Sequence, residues 1–156
     1  VIRSDQTISD QVRQQALDWS PLFWVDPVVA LKKLGSPNQR IGAPEIEQDE
    51  QGDVVAVSLA KNQRITDAEL VHIKGLPKLK ELNLIDTQIT DAGLVHLKDL
   101  TNLQRLYLDQ TQVTDAGLVH LKGLTTLTVL DIKNTPITDA GVAELKKALP
   151  KCQITK

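Results

Sequence analysis

Along the last two thirds of the chain the aliphatic residues keep a fixed rhythm. Leu79, Leu82, Leu84, Thr87 and Ile89 are followed at the same spacings by Leu103, Leu106, Leu108, Thr111 and Val113. The series returns as Leu127, Leu130, Ile132, Thr135 and Ile137. The Leu-x-Leu step alternates inward and outward, which is the period of a strand. The aliphatics that follow change to a spacing of three, as in Leu94, Leu97 and Leu100, and predict the inner stripe of a short helix. One strand and one helix make a unit, and residues 65–88, 89–112 and 113–136 are three such units in tandem, with a partial fourth from Ile137 onward. A single unit buries too little to offset the ordering of its own backbone, so units must stack and the two ends of the stack must be closed.

The run Thr87-Gln88-Ile89-Thr90-Asp91-Ala92-Gly93-Leu94 and its two later copies resemble bacterial leucine-rich-repeat proteins whose units carry a T-x-I-T-D-A-G-L signature. The likeness covers residues 54 to 156. It implies an α/β fold, a right-handed β-α superhelical solenoid with a parallel sheet on the concave side and helices on the convex side. It also implies a role in protein recognition, with neither catalysis nor a cofactor. In most such repeats an Asn follows the strand at the ladder position; here Thr87, Thr111 and Thr135 stand there, and they are expected to bond the backbone between neighbouring units. Similar repeats occur in F-box adaptors that select substrates for ubiquitin ligases, although nothing in residues 1 to 53 resembles an F-box.

The first 53 residues carry no repeat. They hold Trp19, Phe23 and Trp24, every aromatic residue except Tyr107. Ile8, Val12, Ala16 and Trp19 fall at helical spacing behind a Ser9/Asp10 cap, Ser20-Pro21 opens a second turn, and Asp26-Pro27 starts a helix that Gly35 ends. Such helices would plug the open end of the array; an exposed aromatic binding patch is the other reading. Residues 45–53 are rich in Asp and Glu, lack a basic residue and reach a turn at Gln51-Gly52 before Val54 to Leu59 alternate. A hairpin whose outer strand covers the sheet edge fits this pattern better than a cation loop. The chain thus divides into an amino-terminal cap of helices and hairpin, 1–53, and a repeat region, 54–156. Pro150 closes the last helix, and Lys151 and Lys156 flank Ile154 in a short charged strand that ends the array.

Residues that could carry chemistry have structural explanations. His72, His96 and His120 recur at the repeat period, so they stand about 10 Å apart and parallel, unlike nitrogens converging on zinc at ~2.1 Å. The pairs Thr66-Asp67, Thr90-Asp91, Thr114-Asp115 and Thr138-Asp139 precede helices. Thr suits the cap, Asp suits the positive end of the dipole, and Glu69 completes a capping box with Thr66. Cys152, the only cysteine, reads as a small cap residue rather than a nucleophile. No catalytic or phosphate-loop motif is present. The reading is therefore of a non-enzyme with no metal site.

A net charge of -2 gathers no phosphates, so nucleic acid is not an expected partner. No apolar stretch approaches the ~18 residues of a membrane span, so insertion of this chain is not expected. A chain that opens on Val1 and lacks Met is expected to be a processed or trimmed piece, so any export signal is lost to view and the address with it. For a bacterial recognition module the cell envelope or the exterior is favoured over the cytoplasm.

What the repeat leaves free are the strand residues that point away from the core. These are Glu81, Asn83 and Ile85, then Arg105, Tyr107 and Asp109, then Val129, Asp131 and Lys133. They differ between units while the scaffold letters do not, as suits a surface fitted to a protein or peptide ligand. Tyr107 with Arg105 and Asp109 forms the expected hot spot. About five strands at ~4.8 Å spacing expose far less than the ~800 Å² a standard interface buries on each side. Loops and cap must contribute, or the array is one recognition or regulatory part of a larger protein.

Overall fold

The computed structural model describes residues 27–33 and 44–156. The expected helix over Ile8, Val12, Ala16 and Trp19, the turn at Ser20-Pro21, the aromatic group Trp19, Phe23 and Trp24 and the stop at Gly35 lie outside the described residues. Helix α1 (Pro27–Lys33) begins at the expected proline and seats Pro27 over Gly75. Strands β1 (Glu45–Gln48) and β2 (Val54–Ser58) form the expected antiparallel hairpin. Its turn is held by Asp49, whose Oδ1 accepts the Gln51 and Asp53 N–H groups at 3.0 and 2.9 Å, and by Gly52 at φ 83°, where a side chain would be strained.

From β2 onward the sheet is parallel. Strands β3 (Glu81–Asn83), β4 (Arg105–Tyr107), β5 (Val129–Asp131) and β6 (Gln153–Thr155) add in chain order to one six-stranded sheet. The register follows the 24-residue repeat from β3 to β6, with one residue more between β2 and β3, so Val57, Leu82, Leu106, Leu130 and Ile154 form one line across it. The first four of these are buried, as are the lines Leu59, Leu84, Leu108, Ile132 and Ile65, Ile89, Val113, Ile137. Every one of these residues is aliphatic, so each stacks on a copy of itself, and the core is continuous through the array.

The returning segments are tighter than the expected helices. They are 3₁₀ turns at Glu69–Gly75, at Val95–Leu97 behind the four-residue turn α2 (Asp91–Leu94), and at Gly117–Leu121. The inward aliphatics recur every three residues, and 3₁₀ geometry with three residues per turn keeps Leu70 over Ile73 and Leu118 over Leu121. Only the last segment, α3 (Asp139–Ala148), makes a full α-helix. Its Ala, Glu, Leu and Lys residues are strong helix formers, and the Val-His pair of the earlier units is absent.

Two polar expectations are corrected. Thr87, Thr111 and Thr135 do not link neighbouring units; each hydroxyl donates to the carbonyl three residues back, of Leu84, Leu108 and Ile132, at 2.6–2.7 Å. The link between units is made by the aspartates. Asp67 accepts the Thr90 N–H at 2.8 Å and its hydroxyl at 2.6 Å; Asp91 does the same for Thr114 at 2.7 and 2.6 Å, and Asp115 for Thr138. The threonine hydroxyls in turn cap the segments they precede, accepting from Ala92, Ala116 and Gly141 N–H groups. A carboxylate reaching across to the next unit needs room, so a Cβ on Gly93, Gly117 or Gly141 would overlap the aspartate of the unit before. The first unit has Glu69 in that place. Its carboxylate accepts the Thr66 N–H and hydroxyl at 2.8 and 2.7 Å, the two donors that an upstream aspartate serves in later units.

Gly117→Ala is expected to cost about 1–3 kcal/mol in urea unfolding, because Asp91 must move, while Gly123→Ala, with open space around it, stays within about 0.5 kcal/mol. Thr138 donates its hydroxyl and N–H to Asp115 and holds that carboxyl below its usual value. A depressed folded value means that the linkage is fully present above the ordinary carboxylate range and is lost as pH falls through the folded value. Melting temperature should therefore drop less between pH 6 and the acid limit in Asp115→Asn than in the parent chain, and an unchanged acid slope would refute the link.

Candidate binding face

Alternation on each strand turns one residue to the core and its neighbours away from it. With Leu82, Leu106 and Leu130 buried, Glu81, Arg105 and Val129 line up as one outward row and Asn83, Tyr107 and Asp131 as the next. The sheet extends both rows beyond the three units read from sequence. Ala56 and Ser58 precede them on β2, Glu47 and Glu45 on β1, and Gln153 and Thr155 follow on β6. The signal for β1 was present in Glu45-Ile46-Glu47: Ile46 pairs with Val57 and packs on the core, which turns both glutamates outward.

The third residue of each expected set lies past the strand. Ile85, Asp109 and Lys133 occupy the turn that follows, where Lys61, Asp86 and Gln110 N–H groups donate to their carbonyls at 2.8–3.1 Å. The next residues, Asp86, Gln110 and Asn134, have φ of 53–58°, so the chain bends away from the sheet here. Asn83 and Asp131 help close these turns by accepting the N–H groups of Ile85 and Lys133 at 3.1 and 3.2 Å. Their side chains thus carry a structural duty beside any role in contact.

Arg105 bonds Glu81 at 2.6 Å across the β3–β4 pair, and Lys133 bonds Asp131 at 3.1 Å. Asp109 accepts from the neutral Asn134 side chain at 2.8 Å. Tyr107 is half-buried at the centre of the sheet, and its hydroxyl has no hydrogen-bond partner among the described residues. Toward β1 a hollow of about 180 Å³ is lined by Glu45, Glu47, Ala56, Val57, Ser58, Glu81 and Asn83.

The other candidates lie off this face. His72, His96 and His120 are half-buried in their separate turns, and among the described residues no group of His, Cys, Asp and Glu is placed to hold a metal. Cys152 is buried and stands where Leu127 stands one unit earlier, its N–H on Leu149 as that of Leu127 is on Leu124. Burial pushes its thiol above the ordinary range.

Residues 54–113 match the model described as leucine rich repeat, and residues 101–147 match the model for leucine rich repeats in two copies. The chain belongs to the leucine-rich-repeat family. It is a parallel-sheet solenoid of that family, and its repeated Thr-Asp pairs are occupied in joining units. An internalin, InlF, of Listeria monocytogenes superposes with a TM-score of 0.53 at 30% identity, over 64% of this chain and 27% of its own. This chain therefore spans about a quarter of that relative's length. Actin-binding site 2 of leiomodin-1 superposes with a TM-score of 0.54 at 20% identity over 87% of this chain and 80% of its own, a likeness of fold alone. No curated protein matches the sequence. No helix among the described residues is long and apolar enough to cross a membrane.

Iodoacetamide should alkylate Cys152 at least about tenfold more slowly in the folded chain than in urea at the same pH, since the thiolate is the reactive form. Equal rates would show that the residue is neither buried nor held protonated.

Proposed function

We propose that this leucine-rich-repeat array recognises a protein or peptide on the concave face of its sheet, through the rows Glu81, Arg105, Val129 and Asn83, Tyr107, Asp131, with Ile85, Asp109 and Lys133 at their rim. The observation that carries the reading is the contrast between two sides of the same strands. Inward positions repeat the same aliphatic letters, whereas outward positions change character in every unit. A half-buried tyrosine whose hydroxyl is unengaged among the described residues, beside an arginine, is the composition of an interface anchor.

The relation to longer proteins favours a recognition part within a larger chain over a self-sufficient binder, and the small area of the face points the same way. Residues 1–53 would close the amino-terminal end of the array. A place at the cell envelope or outside the cell belongs to the same proposal, as does membership of the bacterial T-x-I-T-D-A-G-L group.

The test is photocrosslinking. Replacing Tyr107 by benzoylphenylalanine should capture a partner that the same probe at Val119, on the helical side, does not. Tyr107→Ala should then weaken binding of the captured partner at least about tenfold with a nearly unchanged melting temperature. Leu106→Ala, which opens a core cavity, should cost about 2–5 kcal/mol of stability. Capture at Val119 and not at Tyr107 would overturn the reading.

A further inference from the structure

We propose that the occupant of this face is a basic, extended segment of a protein, lying across the strands. The inference rests on the concave-face reading above and adds the charge and shape of what binds there.

The face is not neutral. Glu45, Glu47, Glu81, Asp109 and Asp131 stand on it or at its rim, against Arg105 and Lys133. Both cations are engaged by carboxylates of the same face, Arg105 by Glu81 and Lys133 by Asp131. Among the described residues, neither the Glu45 nor the Glu47 carboxylate has a hydrogen bond or an ion pair, and the Asp109 carboxylate has only neutral donors. Lys80 is of opposite parity to Glu81 and belongs to the rim where β3 begins. The charge left for a ligand is negative on one side of Tyr107 and again at the turn beside it. A phosphate backbone is repelled by such a surface, whereas lysine and arginine side chains are drawn to it. The hollow lined by Glu45, Glu47 and Glu81 offers room for such a side chain.

Shape points to an extended ligand. Six strands at ~4.8 Å spacing make a sheet about 24 Å across, the length of roughly seven residues of extended chain at ~3.3–3.6 Å each. Strands β3 to β6 contribute only three residues apiece, a strip too narrow for the ~800 Å² that a globular partner covers. A segment crossing the strip from the hollow would place a basic residue by Glu45 and Glu47 and an apolar one on Tyr107 and Val129.

The probes are two labelled synthetic peptides of about ten residues, identical except that one carries lysine and the other glutamate at alternate positions, with one leucine at the centre. Fluorescence anisotropy with the full chain should give at least about tenfold tighter binding of the lysine peptide, weakening as salt rises from low to physiological strength. Glu45→Gln with Glu47→Gln, both exposed positions, should weaken it about fivefold or more with no change in melting temperature, while Glu144→Gln on α3 leaves it unaltered. Equal binding of the two peptides, no measurable binding of the lysine peptide at about 1 mM, or indifference to the paired glutamate change would overturn the inference. Any of these results alongside a partner still captured at Tyr107 would overturn the basic ligand and leave the concave face standing. Loss of lysine-peptide binding in the glutamate variant but not in Tyr107→Ala would support the basic ligand and remove Tyr107 as its anchor.

Discussion

Every repeat hands a carboxylate to the next. That transfer, from Asp67 to Thr90, Asp91 to Thr114 and Asp115 to Thr138, is the constraint around which the rest of the array is arranged. It ties successive units together beyond their strands, beside the backbone bonds from Gln88 N–H to Ile65 and from Gln112 N–H to Ile89. It also requires glycine in the receiving unit, where a Cβ would overlap the arriving carboxylate. Backbone hydrogen bonds and side-chain hydrogen bonds thus both hold each unit to the next around a common aliphatic core.

The two outer units vary the relay. Glu69 supplies Thr66 from within its own unit, and Asp139 accepts from Lys156. Between them the sheet is an even platform. Identical core layers give the outward side chains an even spacing, and the pairing of Arg105 with Glu81 follows from it because equivalent positions in successive units face one another.

Much of this was legible in the chain. The aliphatic rhythm gave the strands, their parity and the buried lines, because in a stacked array one residue type in one place must pack on its own copy. The hairpin was legible in the alternation around Gln51-Gly52, and the two rows of the face followed from the parity of Leu82, Leu106 and Leu130. The 3₁₀ turns were written in the spacing of Leu94, Leu97 and Leu100, which an α-helical reading smooths over. The bond between Asp and Thr of different units was harder to see, since Thr-Asp is also the ordinary start of a helix and its partner lies a whole unit away. The roles of Glu45 and Glu47 were hidden for a similar reason: an acidic hairpin reads as solvated until register shows which face each side chain occupies.

Glu69 makes the units unequal as building blocks. Residues 89–112 carry both a donor-side threonine and a glycine that admits an incoming aspartate, so a further copy of that block could be spliced into the interior of the array with its neighbours undisturbed. The block 65–88 lacks that vacancy; moved inward, its glutamate would compete with the arriving aspartate for the same two donors. Lengthening by internal duplication therefore has a direction imposed by one side chain, and a longer sheet is built by copying from the units behind it.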